Sequence, residues 1–353
     1  MFKTKLGVIF GGISTEHDVS VVSGTSVIEN LNKTKYEIYP IYITKDGKWN
    51  KYTKEIDKIK TLEIGEQITE LEEIKDVIGY LKQTEVIFPV LHGLGGEDGS
   101  IQGILELIEI PYVGCKILSS SIGMDKVYSK IVFEKAGLNQ SPYEYIRKNK
   151  EKYIYIDKNF NEKEYTLEKT CDIIEKNLKY PIFVKPSNSG SSVGIKKVKT
   201  KEELKNAIEY ATKYDNKILI EQGINAKEIE CAVLGNEEIV TSCVGEITQT
   251  DEFYSYNAKY KKQDSKTIIP AQIDKQTQEE IKKQAIKAFK AIDGKGLSRV
   301  DFFLEKGTNK IYINEINTLP GFTKISMYPK LFEQEGISYQ NLLDRLVDLA
   351  KEI

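Results

Sequence analysis

The chain has 353 residues, 40% hydrophobic and 29% charged, with a formal net charge of −2 and a pI near 6.0; this is ordinary globular composition, long enough for two or three domains with sizeable cores. The near-neutral balance gives no global reason to expect a nucleic-acid or membrane partner, no apolar run reaches the length of a membrane span, and Met1-Phe-Lys-Thr-Lys leads straight into a strand without a signal h-region, so a cytoplasmic protein is expected. The four cysteines, Cys115, Cys171, Cys231 and Cys243, form no C-x-x-C, and with only two histidines, His17 and His92, a His-based zinc centre is excluded by counting.

Lys5 to Phe10 is a short apolar run ending in Gly11-Gly12, and behind Ser14-Thr-Glu-His-Asp18 a helical pattern runs from Val19 to Leu31. In a parallel sheet such a turn lies at the carboxyl edge, where helix N-terminal amides face the ligand crevice. Glu16 reads there either as a helix cap or as the holder of a substrate ammonium. Tyr36 to Ile43 is a second strand, and polar residues 44–84 read as a peripheral excursion. Glu85 to Leu91 is the next strand, running into His92-Gly-Leu-Gly-Gly-Glu-Asp-Gly-Ser100 and a helix from Ile101 to Leu107. The glycines let backbone approach a ligand closely, but G-x-G-x-x-G from Gly93 would need glycine at Asp98, so this is no dinucleotide fingerprint. His92 is a satisfied loop histidine or a group that polarises a substrate.

Residues 111–122 close this unit, and Met124-Asp-Lys126 opens a helix that Gly137 stops. Ser141 to about Ile156 is strand and turn, 158–170 an exposed charged insertion, and a helix runs from Leu167 to Leu178. Tyr180 to Lys185 is a strand ending in lysine, followed by Pro186-Ser-Asn-Ser-Gly-Ser-Ser-Val-Gly194. Such a loop folds backbone amides over phosphate oxygens while the lysine neutralises charge, which makes it a lid candidate rather than a flexible linker. No Gly-Lys-Ser/Thr follows, so it is not a Walker A loop. Gly190-Ser-Ser-Val-Gly194 matches G-x-S-x-G, but both histidines precede the serine, against the chain order of α/β-hydrolases.

Lys201 to Tyr214 is an amphipathic helix, and Lys217 to Gln222 is a strand whose acidic edge, Glu221-Gln222, would offer main-chain bonds to an adenine, with Glu228 near ribose hydroxyls. Glu230 to Leu234 and Ile239 to Glu246 form a hairpin around Gly235-Asn236. Thr248 to Pro270, with Phe253-Tyr-Ser-Tyr256 and Lys259-Tyr260, reads as a long functional loop. One such basic aromatic loop on an acidic chain is weak support for nucleic acid. Residues 274–292 form a helix. Strands at 300–304 and 311–316 then flank Gly307-Thr308-Asn309. With the turn centred on Thr308, Asp301 lies opposite Glu315, and Arg299 and Asn317 share their face. Two carboxylates and an amide oxygen suit Mg²⁺ completed by water and phosphate; the plain alternative is a cross-strand Arg–carboxylate pair. Pro320-Gly321 breaks the strand and exposes N–H groups beside the acids, where an oxyanion would be held. Tyr339 to Lys351 is a closing amphipathic helix.

Together these motifs resemble the ATP-grasp superfamily, and within it the D-alanine:D-alanine ligase family of bacterial peptidoglycan synthesis, over almost the whole chain. The resemblance is carried by Gly11-Gly12 with Glu16 and Val19-Ser20, His92-Gly through Glu97-Asp-Gly, Gln102-Gly103, Met124-Asp-Lys126, Lys185-Pro through Ser191-Ser192 and Gly194, Lys259-Tyr260, Arg299-Val-Asp301, and Glu315-Ile-Asn317 with Pro320-Gly321. It implies an α/β (α+β) ATP-grasp fold in three domains: an N-terminal parallel-sheet substrate domain (1–122), a central lid domain (123–216) and a C-terminal metal and catalytic domain (217–353). ATP would lie between the last two.

By the same resemblance, two Mg²⁺ ions, with Mn²⁺ able to substitute, would sit on Asp301, Glu315 and Asn317. Lys126, Lys185, Ser192, Glu221, Gln222, Glu228 and Lys259 would hold ATP. The first D-alanine would be phosphorylated on its carboxylate and the acyl phosphate attacked by the amine of the second, with Arg299 and the Gly321 N–H stabilising the oxyanion. Glu16 would receive the first ammonium, Val19, Ser20 and His92 would adjoin that substrate, and Ser326 would take the second carboxylate with Met327 beside it. Ser191 and Tyr260 would tie lid and loop to Glu16. Departures from the family pattern are Ser255, where an acid is usual, and Gly223, where a bulky residue is common. Lys259-Tyr260 and an uncharged Met327 favour D-alanine as acceptor over the alternatives of D-serine and D-lactate. A non-catalytic nucleotide-binding regulator is a third reading, against which the intact acidic face argues. Small-molecule substrates, D-alanine and ATP, and a homodimer are expected, with no nucleic acid and no membrane.

Overall fold

The computed structural model describes residues 2–248 and 266–353, which build three sheets with helices on their faces. The first contains β1 (Thr4–Gly11), β2 (Tyr36–Ile43), β3 (Trp49–Tyr52), β4 (Leu71–Glu73) and β5 (Val86–Leu91) in the order β4-β3-β2-β1-β5. β1 runs parallel to both β2 and β5. A parallel strand between two neighbours is covered on both faces, which explains its unbroken apolar run. Leu6, Val8 and Phe10 share one core with helix α1 (His17–Asn30), while Ile9 faces the other side. After α2 (Val77–Leu81), helix α3 (Ser100–Leu107) covers that second face through Ile101 and Leu105.

Residues 44–84 are not a mere excursion. β3 pairs antiparallel with β2, and β4 with β3, extending the sheet by two strands and putting β4 at its edge. The turn Thr44-Lys-Asp-Gly47, with Gly47 at φ 84°, reverses the chain there, and that short turn signal was obscured by the polar composition around it.

Helices α4 (Ile117–Met124) and α5 (Lys126–Lys135) lead into the second sheet: β6 (Tyr143–Asn149), β7 (Lys152–Ile156), β8 (Glu162–Tyr165), β9 (Ile182–Pro186), β10 (Lys196–Val198) and β11 (Lys217–Gln222), ordered β10-β9-β11-β6-β7-β8. The supposed insertion at 158–170 contributes β8, the outermost strand, whose exposed Glu162-Lys-Glu read as loop. Helices α6 (Leu167–Asn177) and α7 (Lys201–Ala211) cover the sheet, each started by a threonine, Thr166 and Thr200, whose hydroxyl accepts an N–H of the first turn.

The third sheet is antiparallel throughout: β12 (Ala226–Leu234), β13 (Val240–Thr248), β14 (Lys266–Ile268), β15 (Leu297–Glu305) and β16 (Ile311–Asn317), ordered β14-β13-β12-β15-β16. Helix α8 (Lys275–Ala291) packs on one face. Helices α9 (Met327–Gln334) and α10 (Tyr339–Ala350) cover the other, and their core runs on through Leu343 and Leu346 to Leu6 and Phe88 of the first sheet.

The β15–β16 register reaches the expected pairing by an unexpected route. Phe302↔Ile313, Phe303↔Tyr312 and Leu304↔Ile311 do not fit a turn centred on Thr308, but Asn314 bulges, so that beyond it Asp301↔Glu315 and Arg299↔Asn317 pair.

Candidate active site

A cavity of about 960 Å³ opens where the three sheets meet. Its wall takes Glu16, Val19 and His92 from the first sheet's side, Lys126 from the start of α5, and Lys185, Ser191 and Ser192 from β9 and the loop after it. The third side is Glu221, Gln222, Glu228, Arg299, Asp301, Glu315, Asn317 and Gly321. Residues far apart in sequence meet because the loops after β1, β5 and β9 and the faces of β12, β15 and β16 converge on one cavity.

Glu16 precedes α1 but makes no side-chain cap bond. Its Oε1 instead accepts the hydroxyl of Ser191, so the loop after β9 is closed down onto the first helix. The contact is tight on both sides: a Cβ added at Gly93 would lie 2.7 Å, and one at Gly190 2.2 Å, from Glu16 Oε2. Ser191 and Ser192 take left-handed backbone at φ 47° and 60°, a sparsely populated region for residues with a Cβ.

His92 is buried, with Nε2 3.0 Å from Ser23 Oγ and Nδ1 3.2 Å from the Leu319 carbonyl and 3.7 Å from Glu97 Oε1. Burial opposes its charge, but the Glu97 and Glu16 carboxylates outweigh this and raise its pKa. Glu97 is itself raised by burial.

Three lysines gather on the lid side. Lys126 Nζ donates to the Ser189 carbonyl at 2.5 Å, and burial lowers its pKa. Lys185 and Lys130 each approach one oxygen of Glu221 at 2.5 Å. Burial alone would raise Glu221, yet the two ammonium groups pull it down to about 2. Main-chain groups of Gln222 are used within the protein, N–H to the Pro142 carbonyl and C=O from the Ser141 hydroxyl. Ile224, next along the wall, was not singled out from sequence.

On the acidic face, Arg299 donates from Nε and Nη2 to the two oxygens of Asp301 at 2.7 and 2.6 Å and lies 3.1 Å from Glu230. These carboxylates hold the arginine's pKa high against the burial that opposes its charge. Asn317 Nδ2 donates to Asp301 Oδ2 at 3.0 Å. Among the described residues no three His, Cys, Asp or Glu side chains form a metal cluster. Two facing carboxylates and an amide oxygen are nonetheless the hard donor set that Mg²⁺ takes when phosphate and water complete its shell, so the residues fit this ion.

Three expected residues lie outside the cavity wall. Ser20 is buried, its hydroxyl bridging the Val90 carbonyl and the Gly11 N–H and tying β1 to β5. Met327 packs into the core shared by α9 and β13, where its methyl lies against Gly245, a packing that also accounts for an uncharged side chain. Ser326 lies just behind the wall, its Oγ accepting the Thr323 N–H at 3.0 Å beside Gly321. Lys259, Tyr260 and Ser255 fall outside the described residues. Sequence reading missed Glu230 and Lys130, and quoted Glu97 in a motif without giving it a role. Glu230 was signalled by its spacing of two from Glu228, and Lys130 by its spacing of four from Lys126, each of which puts the pair on one face.

Residues 5–115 match the family described as the N-terminus of D-ala D-ala ligase, and residues 132–348 match its C-terminus. A D-alanine–D-alanine ligase of Acetivibrio thermocellus is 50% identical over 372 aligned positions, covering 99% of this chain and 96% of the relative. One from Clostridium novyi is 46% identical, covering 99% and 98%. Among solved structures, the VanG D-Ala:D-Ser ligase of Enterococcus faecalis superposes with a TM-score of 0.84 at 38% identity, covering 99% of this chain and 100% of the other. The D-alanine-D-alanine ligase of Coxiella burnetii gives 0.82 at 31%, covering 99% and 94%. The chain therefore belongs to the D-alanine–D-alanine ligase family, ATP-dependent ligases with the ATP-grasp fold.

Proposed function

We propose that this protein condenses two D-alanine molecules to D-alanyl-D-alanine through an acyl phosphate, releasing ADP and phosphate, to supply peptidoglycan synthesis. The supporting observation is the closure of Ser191 onto Glu16, which surrounds one cavity with an ammonium acceptor, phosphate-facing lysines and an oriented guanidinium.

In this reading Glu16 receives the ammonium of the first D-alanine beside Val19 and His92, leaving its carboxylate to attack the γ-phosphate of ATP. Lys126, Lys185 and Ser192 hold the phosphates, Glu221, Gln222 and Ile224 border the adenine, and Glu228 takes the ribose. Asp301, Glu315 and Asn317 would hold two Mg²⁺ ions, with Mn²⁺ able to replace them. Held by these residues, Mg²⁺ would supply positive charge to offset that of the phosphates. The amine of the second D-alanine, its carboxylate near Ser326, adds to the acyl carbon and phosphate leaves. Arg299, fixed by Asp301 and Glu230, and the Gly321 N–H face the oxyanion of that addition. The closed lid keeps water from the acyl phosphate, with Lys259 and Tyr260 as further partners. The units 1–122, 123–216 and 217–353 serve substrate, lid and metal in turn, in a cytoplasmic homodimer.

The likeness to a D-Ala:D-Ser ligase supports a second reading, in which D-serine is the acceptor. Incubation with MgATP and D-alanine, alone and in competition with D-serine and D-lactate, followed by mass spectrometry separates them. D-alanyl-D-alanine is the expected main product; a D-serine or D-lactate product keeps the chemistry but replaces the acceptor, and nucleotide binding without any product overturns the enzymatic reading.

A further inference from the structure

Lys130 has no place in the mechanism above, and its side chain is only 3% exposed. It follows Lys126 by four residues on α5, and so lies on the same helix face one turn deeper. Lys126 reaches the cavity wall; Lys130 does not. Its ammonium lies 2.5 Å from Glu221 Oε1 and 5.2 Å from the ring centre of Tyr143, which pairs with Glu221 across β6 and β11. The other oxygen of the same carboxylate, Oε2, lies 2.5 Å from Lys185 Nζ, and Lys185 lines the cavity.

Two buried ammonium groups thus share one buried carboxylate. A Lys185–Glu221 pair by itself would carry no net charge. Burying a second lysine is costly unless it is paired, and nothing about closing the core requires that cation, since an apolar side chain would fill the space against Tyr143. Its presence leaves the cluster with one surplus positive charge. Lys185 is the member that faces the cavity.

We infer that Lys130 is a positioning residue for nucleotide: by holding one oxygen of Glu221 it leaves the cluster with a net positive charge and Lys185 aimed at the nucleotide phosphates. The inference rests on the proposed phosphate role of Lys185, and its effect is confined to the phosphates. A merely structural lysine would disturb adenosine and phosphate binding alike, because Glu221 also borders the adenine.

The test is calorimetric titration of the full-length protein with MgADP and with adenosine, for the wild type, Lys130→Met and Lys130→Arg, with circular dichroism to compare their folds. Loss of a charge-assisted contact to phosphate is expected to weaken MgADP binding to Lys130→Met about tenfold while adenosine changes less than about twofold. In turnover, KM for ATP rises and kcat changes less. Lys130→Arg, which restores the cation, is expected to bind MgADP within about threefold of wild type. Equal losses for the two ligands, or unchanged MgADP affinity in Lys130→Met, overturn the inference. If Lys130→Met misfolds, the arginine variant decides: a loss of MgADP affinity as large as about tenfold, with adenosine binding kept, shows that charge at this position is not what matters. Wild-type protein that binds adenosine but gains nothing from the phosphates of MgADP would instead overturn the phosphate role of Lys185 itself.

Discussion

Arg299 is held from two directions, by both oxygens of Asp301 and by Glu230, so its guanidinium reaches the cavity already oriented. Such pre-set donors act where charge develops rather than in ground-state binding. Replacing Arg299 by Met is expected to lower kcat on the order of 10²- to 10³-fold, with KM for ATP within about twofold, in steady-state assays. Glu221 has a different signature. Its carboxyl is drawn from 4.5 to about 2 in the folded state, because two lysines overcome the burial that would raise it. The folded chain therefore takes up this proton at lower pH than the unfolded chain. The stability so conferred is complete above about pH 4.5 and is lost as pH falls toward about 2. Glu221→Gln is expected to flatten the dependence of the urea midpoint on pH across the accessible part of that window; an unchanged slope would show that Glu221 is not depressed.

At the scale of elements, the lid and the β15–β16 hairpin do the positioning. The lid meets α1 with no room for a side chain at Gly190, where a Cβ would lie 2.2 Å from Glu16 Oε2. Gly190→Ala is expected to hold the loop off Glu16, lower dipeptide yield at least about tenfold, and raise phosphate release per dipeptide, because water then reaches the acyl phosphate. Parallel assays of phosphate and dipeptide check this; an unchanged ratio would mean that the lid does not exclude water. In the hairpin, the bulge at Asn314 makes Glu315 the partner of Asp301. Deleting Asn314 removes the extra residue, so that Glu315 follows Ile313 directly and still lies opposite Asp301 in a regular ladder. The expected result is a folded protein whose turnover still responds to Mg²⁺, measured by titrating the metal; a lost response would show that the bulge itself, and not only the pairing, shapes the acidic face.

At the scale of the whole molecule, one core links the first sheet to α9, α10 and the third sheet. Tyr339 bridges its parts, donating to the Phe322 carbonyl at 2.9 Å and lying 3.2 Å from the Ser26 hydroxyl. Leu346, fully buried on α10, packs in this core, whereas Trp49, the chain's single tryptophan, lies in β3 at the far side of the first sheet. Leu346→Ala is expected to cost about 2–5 kcal/mol and to lower the unfolding midpoint read from Trp49 fluorescence, because the first sheet loses its packing with the C-terminal helix. A midpoint that stays in place would show that the first sheet unfolds on its own.

Much of this protein was legible in its residues because local physics decided it. The apolar run of β1, the threonine starts of α6 and α7, the lysine at the end of β9 and the glycines of the loops act through neighbours in sequence. Charged edge segments misled for the same reason: Glu162-Lys-Glu becomes a strand only because β7 offers it a partner, and 49–52 only because β2 does. The pairing of Asp301 with Glu315 was reached from an assumed symmetric turn, while the real turn is offset and a bulge at Asn314 makes up the difference. Met327 and Ser20, expected beside the substrate, lie outside the cavity wall and pack within the protein, since a motif does not say which way its side chains face. Motif chemistry alone pointed to the family and to Glu16, Lys126, Lys185, Arg299, Asp301 and Glu315 of the cavity wall. Tertiary structure alone decided how charges are shared, placing Glu230 against Arg299 and Lys130 against Glu221, because such pairs form between elements whose distance only the folded chain sets.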